Sequence, residues 1–293
     1  MRVRGLVRVR RLAYRDRVSA PMLSGDAFAS VCEVRVRRPL SQLSAAELRD
    51  LRDAHRIFCI SDYLEDLLDG HSGLSVRVLL VGNSDRDFLD RPTNLPRHLR
   101  LLAMQNSFVS DNELIYTLPI GIENLALGNN GRPKLFKDPD DGERRHEILV
   151  GPFGLTHRDR EGLCNAYSHT TGPWQVVESR ASSGALDSLM REHRWVLSPR
   201  GNGVDTHRTW ESLYRGAYPV VAESRWSNSL SQYGYPLVIV PSLAPTDVLA
   251  AIEYLSEKSS SALQPRLFRW LWMPAWTDWI LGRGPSPVNT FNE

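Results

Sequence analysis

Residues 195–211 read Trp-Val-Leu-Ser-Pro-Arg-Gly-Asn-Gly-Val-Asp-Thr-His-Arg-Thr-Trp-Glu, and they restrict the fold more than any other stretch. The apolar run Trp195 to Leu197 predicts the end of a buried strand. Pro199, Gly201 and Gly203 then break the chain into a tight loop. From Asp205, placed to act as N-cap, the pattern turns helical: Trp210, Leu213 and Tyr214 recur at i, i+3, i+4, and Gly216 stands at the expected C-cap. Tyr218 to Val221 predicts a second strand at once. Strand, Gly-rich loop, helix, strand is the half-unit that sets a ligand's phosphates at a helix N-terminus.

The chemistry of the loop suits an anion. Gly201 and Gly203 let backbone N–H groups approach a diphosphate with no Cβ in the way. Arg200 and Arg208 can fork onto phosphate oxygens, and Glu211 is placed to accept hydrogen bonds from a ribose. The plain alternative is an Arg208–Glu211 pair at i, i+3 on a solvated helix face.

The same alternation runs through the rest of the chain. Cys32 to Arg38, Arg56 to Ser61, Val76 to Val81, Arg100 to Met104 and Leu114 to Leu118 predict strands. Ser44 with Glu47 forms a capping-box pattern before a helix over Ala45 to His55, and Asp62 to Leu68 reads as a helix closed by Gly70. Asn83 and Asp85, then Asn106, follow strand ends, where ligands bind in open α/β sheets; turn chemistry alone also favours Asn and Asp there. Residues 129–145 read as a loop at a domain junction. Within it, Asp138-Pro139-Asp140 offers a metal-binding pair of carboxylates in form only, because no buried strand precedes it.

In the second half, strands over Glu147 to Phe153, Trp174 to Glu178, Tyr218 to Ala222 and Pro236 to Val240 alternate with helices. The helices cover Arg158 to Ser168, Leu186 to His193 and Pro245 to Glu257. This implies a parallel sheet covered on both faces. Gly151 to His157 forms a second tight loop, which makes His157 a cleft candidate, against the alternative of a surface histidine near a helix start. In the tail, Leu267 to Leu281, a kink is expected at Pro274. Trp270, Trp272, Trp276 and Trp279 there favour packing over an in-plane membrane contact, since the strongly basic face of an interfacial helix is missing.

Charge and cysteine content narrow the function classes. A formal net charge of +2 is too small to imply nucleic-acid binding. Three widely separated cysteines, Cys32, Cys59 and Cys164, make no metal-ligand spacing and fit a reducing compartment. Residues 1–17 interleave Arg with Val and Leu without the apolar core of a signal peptide, so they predict a solvated edge strand, or a basic arm. A cytoplasmic protein, at most peripheral at a membrane, is expected.

The run Ser198-Pro199-Arg200-Gly201-Asn202-Gly203-x-Asp205-Thr206-His207-Arg208-x-Trp210-Glu211, continuing to Gly216 and Pro219, resembles the donor-site segment of exostosin-type glycosyltransferases. Gly82-Asn83-Ser84-Asp85, Gln105-Asn106 and Pro119-Ile120-Gly121-Ile122-Glu123-Asn124 extend the resemblance upstream; Tyr218 departs from it. The resemblance implies an α/β protein of two Rossmann-like domains facing a cleft, the GT-B arrangement. An acceptor-side domain would span residues 1–135, a nucleotide-sugar domain 146–262, and a helical tail, 263–293, would pack back on the first. It implies sugar transfer, with inversion, from a nucleotide-sugar donor (a UDP-sugar foremost) to a glycan or lipid-linked acceptor, with neither metal nor cofactor. Ser198, Arg200, Gly201, Asn202, Gly203, Asp205, Thr206, His207, Arg208 and Glu211 would hold the donor. Asp85, Asp111 and Glu123 are candidate bases by position, and Asn83, Asn106 and His157 would face the cleft. The rival expectation is a non-catalytic nucleotide- or glycan-binding protein of the same fold. A dehydrogenase fits less well, because Gly151 to Gly154 lacks GxGxxG.

Overall fold

Ten of the apolar runs become parallel strands in the computed structural model, which describes residues 22–70, 73–127, 132–136, 145–178, 181–258 and 268–288. Five form a first sheet: β1 (Val34–Val36), β2 (Arg56–Ile60), β3 (Val78–Gly82), β4 (Leu101–Met104) and β5 (Ile115–Thr117), ordered β1-β2-β3-β4-β5. Five form a second: β6 (Arg145–Val150), β7 (Trp174–Val176), β8 (His193–Leu197), β9 (Tyr218–Ala222) and β10 (Val238–Val240), ordered β10-β9-β8-β6-β7. Every pairing in both sheets is parallel. The protein is therefore α/β with two parallel sheets. Residues 1–17 and Asp138-Pro139-Asp140 lie outside the described residues.

Strand periodicity decides how the first sheet is covered. Ile57, Cys59, Leu79, Val81, Leu102, Met104 and Ile115 point to one face, under α2 (Ala45–Asp53) and α3 (Leu64–Gly70), with Leu51, Leu64 and Leu67. Phe58, Val78, Leu80, Leu101, Ala103 and Tyr116 point to the other, with Phe28 of α1 (Gly25–Val31). Burial on both faces is why these strands read as unbroken apolar runs. The capping box at α2 is present: Ser44 Oγ accepts from Glu47 N at 3.3 Å and Ser44 N donates to Glu47 Oε2 at 2.9 Å.

The second apolar face is shared. Trp210, Leu213 and Tyr214 of α6 (His207–Tyr214), and Trp226 and Leu230 of α7 (Arg225–Gln232), enter the same core as Phe58 and Leu80. The aromatic tail closes that core. Trp276 of α9 (Met273–Ile280) lies edge-on to Phe28 at 5.5 Å and to Trp270 at 5.4 Å, and Trp279 meets Tyr116 at 4.7 Å. Pro274 does not kink this helix; it stands in its first turn, where the missing N–H costs nothing.

Two other expectations are corrected. The helix expected from Arg158 to Ser168 is split into a 3-10 turn, Arg158–Arg160, and α4 (Leu163–Ser168), because Gly162 between them adopts φ +74°. The N-cap of α6 is Thr206 rather than Asp205. The remaining helices, α5 (Ser183–Glu192) and α8 (Pro245–Lys258), flank the second sheet, while Gly216, at φ +76°, ends α6 as expected. Among the described residues, no helix is long and apolar enough to cross a membrane.

The strand orders differ in a way that matters for binding. The first sheet adds strands in one direction. In the second, β7 and β8 lie on opposite sides of β6, so the chain reverses there. The crevice beyond the carboxyl ends of β6 and β8 is the topological switch point, where α/β sheets bind ligands.

Candidate functional site at the switch point of the second sheet

Two arginines sew together the loops that leave β6 and β8. Arg160, which follows β6, reaches the loop after β8: its Nε donates to Arg200 O at 2.7 Å and Nη2 to Pro199 O at 3.2 Å. Its Nη1 donates to Gly154 O at 3.0 Å. Arg208, which follows β8, reaches back to the loop after β6, donating to Gly151 O at 3.1 Å and Pro152 O at 2.9 Å. Both guanidinium groups are anchored on neutral carbonyls. Among the described residues neither forms an ion pair with a carboxylate. Burial pulls the Arg208 pKa down to about 10; Glu211 opposes that shift, and Arg160 and Arg215 add to it. Burial also lowers Arg160.

The loop between β8 and α6 is held from several sides. Ser198 Oγ lies 2.9 Å from Thr209 Oγ1, fastening the strand end to the first turn of α6. Gly201 N donates to Gly203 O at 3.1 Å, closing the turn. The ends of the first sheet supply the rest. Asp205 N donates to Asn106 Oδ1 at 2.9 Å, and Ile120 N donates to Asp205 Oδ2 at 2.8 Å. His207 Nδ1 lies 2.8 Å from Gly121 O, and Val204 N donates to Asp87 Oδ1 at 2.9 Å. Thus Ile120-Gly121 clamps Asp205 and His207, two residues apart.

A cavity of about 290 Å³ opens at this point. Its wall includes Asp85 and Ile120 from the first half, and Phe153, Thr156, Arg160 and Leu186 from the second. Gly201, Asn202, Gly203, Asp205, Thr206, His207, Arg208 and Glu211 also line it. A larger hollow of about 360 Å³ lies between α3 and residues 86–93. We favour the smaller one as the site: it sits at the switch point and carries cations without counter-ions, whereas Arg86 and Arg91 at the larger are paired with Glu65 and Asp111.

The structure therefore gathers eight of the ten expected donor residues around one cavity, together with Asp85. Ser198 stands behind the wall in its hydroxyl cluster. Arg200 turns away, its Nη2 2.7 Å from Asp87 Oδ2, so it joins the two halves instead of facing the cavity. Arg208 and Glu211 do not form the solvated pair, since Glu211 is only 5% exposed.

The other candidates have different work. Asp111 Oδ1 accepts the backbone N–H groups of Glu113, Leu114 and Ile115, and Arg91 meets its other oxygen, so this carboxylate is a turn-former away from the cavity. Despite partial burial, those contacts leave its pKa below the usual range. Glu123 is half-buried and outside the cavity wall. His157 caps its own 3-10 turn, accepting from Asp159 N at 3.1 Å. Asn83 belongs to a chain of amides: Asn83 N donates to Gln105 Oε1 at 2.8 Å, and Asn124 Nδ2 donates to Asn83 Oδ1 at 3.1 Å. Asn106 instead shapes the loop through Asp205.

The sequence signal for Arg160 is Arg158-Asp159-Arg160 just after the second tight loop, a run that reads equally as an ordinary helix start. Among the described residues, no group of three or more His, Cys, Asp or Glu side chains could hold a metal ion. No protein-family model and no curated protein sequence matches the chain, so the exostosin resemblance rests on the motif residues alone.

Proposed function

We propose that the chain is a glycosyltransferase of GT-B arrangement that takes a sugar from a nucleoside diphosphate, with UDP-sugars the first choice, and passes it with inversion to a hydroxyl of a glycan or lipid-linked acceptor. The donor diphosphate would occupy the cavity at the switch point, and the acceptor would approach from the cleft side formed by the first sheet.

One observation carries this reading: Arg160 and Arg208 stand together at the cavity with no carboxylate partner. Two guanidinium groups offer ten N–H donors, of which the carbonyls above take five. The remainder can meet phosphate oxygens. The leading amides of α6 have no partners inside their helix and add positive potential. Fixed donors of this kind stabilise the charge that grows on a diphosphate as it leaves, so protein groups alone can assist departure.

The test is a thermal-shift and calorimetric screen against UDP, GDP, CMP, ADP and dTDP, with NAD as control. One nucleoside diphosphate should raise the melting temperature. Arg160→Met should weaken its binding about 10- to 100-fold, the loss of a charge-assisted contact of ~1.5–3 kcal/mol. No shift with any diphosphate, or a shift with NAD alone, would sink the proposal. Binding without turnover of any nucleotide sugar would favour the non-catalytic binding protein.

A further inference from the structure

We infer that His207 is the general base that removes the acceptor's proton, an assignment that rests on the function proposed above. The ring is held at one nitrogen only. Gly121 O, 2.8 Å from Nδ1, is a carbonyl and can only accept, so Nδ1 must carry a hydrogen. In the neutral imidazole the lone pair then belongs to Nε2. Nε2 has no hydrogen-bond partner among the described residues, and His207 lines the cavity beside Arg208.

The clamp on Nδ1 is itself rigid. Gly121 has φ +70°, and a Cβ there would come within 2.0 Å of Leu23 O. Ile122 N donates to Leu23 O at 2.8 Å, and the preceding amide, Ile120 N, is fixed on Asp205. A histidine base oriented by a third group through its other ring nitrogen is a recurring arrangement in general-base catalysis. The competing carboxylates are less suited. Asp111 and Glu123 lie outside the cavity, and Asp85 accepts from Asn202 Nδ2 at 2.9 Å on an exposed loop.

The step balances within the protein and its two substrates. The acceptor O–H gives its proton to Nε2 while the acceptor oxygen bonds to the anomeric carbon. The bond from that carbon to the diphosphate oxygen breaks, and its electron pair leaves with the nucleoside diphosphate. The imidazolium then returns the proton to solvent.

Water can replace the acceptor, so hydrolysis of nucleotide sugars is the assay. The probes are UDP-glucose, UDP-N-acetylglucosamine, UDP-glucuronate, GDP-mannose and dTDP-rhamnose. His207→Asn keeps an N–H for Gly121 O and removes Nε2. It should hold UDP or its counterpart within about threefold of wild type while turnover falls ~100-fold, the usual scale for a lost base. Added imidazole should restore part of the turnover of His207→Ala. Should the variants fail to fold, diethylpyrocarbonate treatment of the wild type tests the same point. His207 should be carbethoxylated, the bound nucleotide should protect it, and turnover should fall in step.

Unchanged turnover in His207→Asn would overturn the assignment, as would loss of nucleotide binding equal to the loss of turnover. A larger loss in Asp85→Asn with His207→Asn active would move the role to Asp85. A wild type that binds a nucleoside diphosphate yet hydrolyses no nucleotide sugar would remove the base and leave the donor site standing. A wild type that binds none removes both.

Discussion

Gly203→Ala tests whether the switch-point loop and the first sheet fit as described. A Cβ at Gly203 would lie 2.4 Å from Asn106 Oδ1 and 2.7 Å from Asn106 Nδ2, inside any permitted contact. The methyl group must therefore expel the Asn106 amide. That amide holds Asp205 N at 2.9 Å and Ser84 O at 3.0 Å, so both bonds are lost. Leaving a buried and a part-buried polar group without partners costs about 1–3 kcal/mol each, which makes Gly203→Ala ~2–6 kcal/mol destabilising. The backbone itself raises no objection, since Gly203 is outside the left-handed region. The sign should therefore depend on background. In Asn106→Ala the obstructing atoms are gone, and the same substitution should be neutral or stabilise by ~0.4–1 kcal/mol by restricting the unfolded chain. Four urea denaturation curves give the double-mutant cycle. If Gly203→Ala costs the same with and without Asn106, the contact is not the reason for the glycine.

Two further outcomes follow from groups that the sequence assigned to the ligand. Arg200→Ala should lower stability by about 1 kcal/mol through loss of the half-buried Asp87 pair, with a coupling energy in the cycle with Asp87→Ala; a variant of unchanged stability that binds nucleotide poorly would return Arg200 to the site. Burial pushes Asp205 up to about 7, against hydrogen bonds from Ile120 N, Trp210 Nε1 and Thr206 N that act the other way. Between the ordinary carboxylate value and that point the folded protein holds a proton that the unfolded chain has released, so this contribution is complete at low pH and is lost as pH rises towards 7. Relative to Asp205→Asn, wild-type stability should fall by up to ~1.4 kcal/mol per pH unit across that window; parallel profiles for the two proteins would refute it.

What the sequence revealed was what depends on neighbours in the chain. The buried strand around Ile57, Phe58 and Cys59, the Ser44–Glu47 box and the loop between β8 and α6 are local, and all are legible. The strand order is not. Nothing in the residues of β6, β7 and β8 says that β6 lies between the other two, because order is set by which helix covers which face. Side-chain direction was equally hidden. Arg200 and Arg208 look alike in one motif, yet one meets a carboxylate 113 positions earlier and the other two carbonyls 57 and 56 positions earlier. Asp111 is a candidate base by position in the sequence; its use as a turn-former follows from Ile115 N lying 2.7 Å away, which only the folded backbone provides.

The loop after β8 divides its polar groups between two tasks, and the division explains why the motif is so long. Arg200, Asn202, Asp205 and Nδ1 of His207 all reach the first half of the chain, on Asp87, Asp85, Ile120 and Gly121. Arg208, joined by Arg160 from the preceding loop, keeps unused donors at the cavity. Docking the two halves and shaping the cavity are therefore one event: the loop cannot release the first sheet without changing the wall to which Arg160 and Arg208 belong. Any ligand that binds those cations stabilises the docked arrangement by the same free energy with which docking favours the ligand. Of the upstream segments, Asp85, Asn106, Ile120 and Gly121 meet the Gly-rich loop directly, and so belong to the same device.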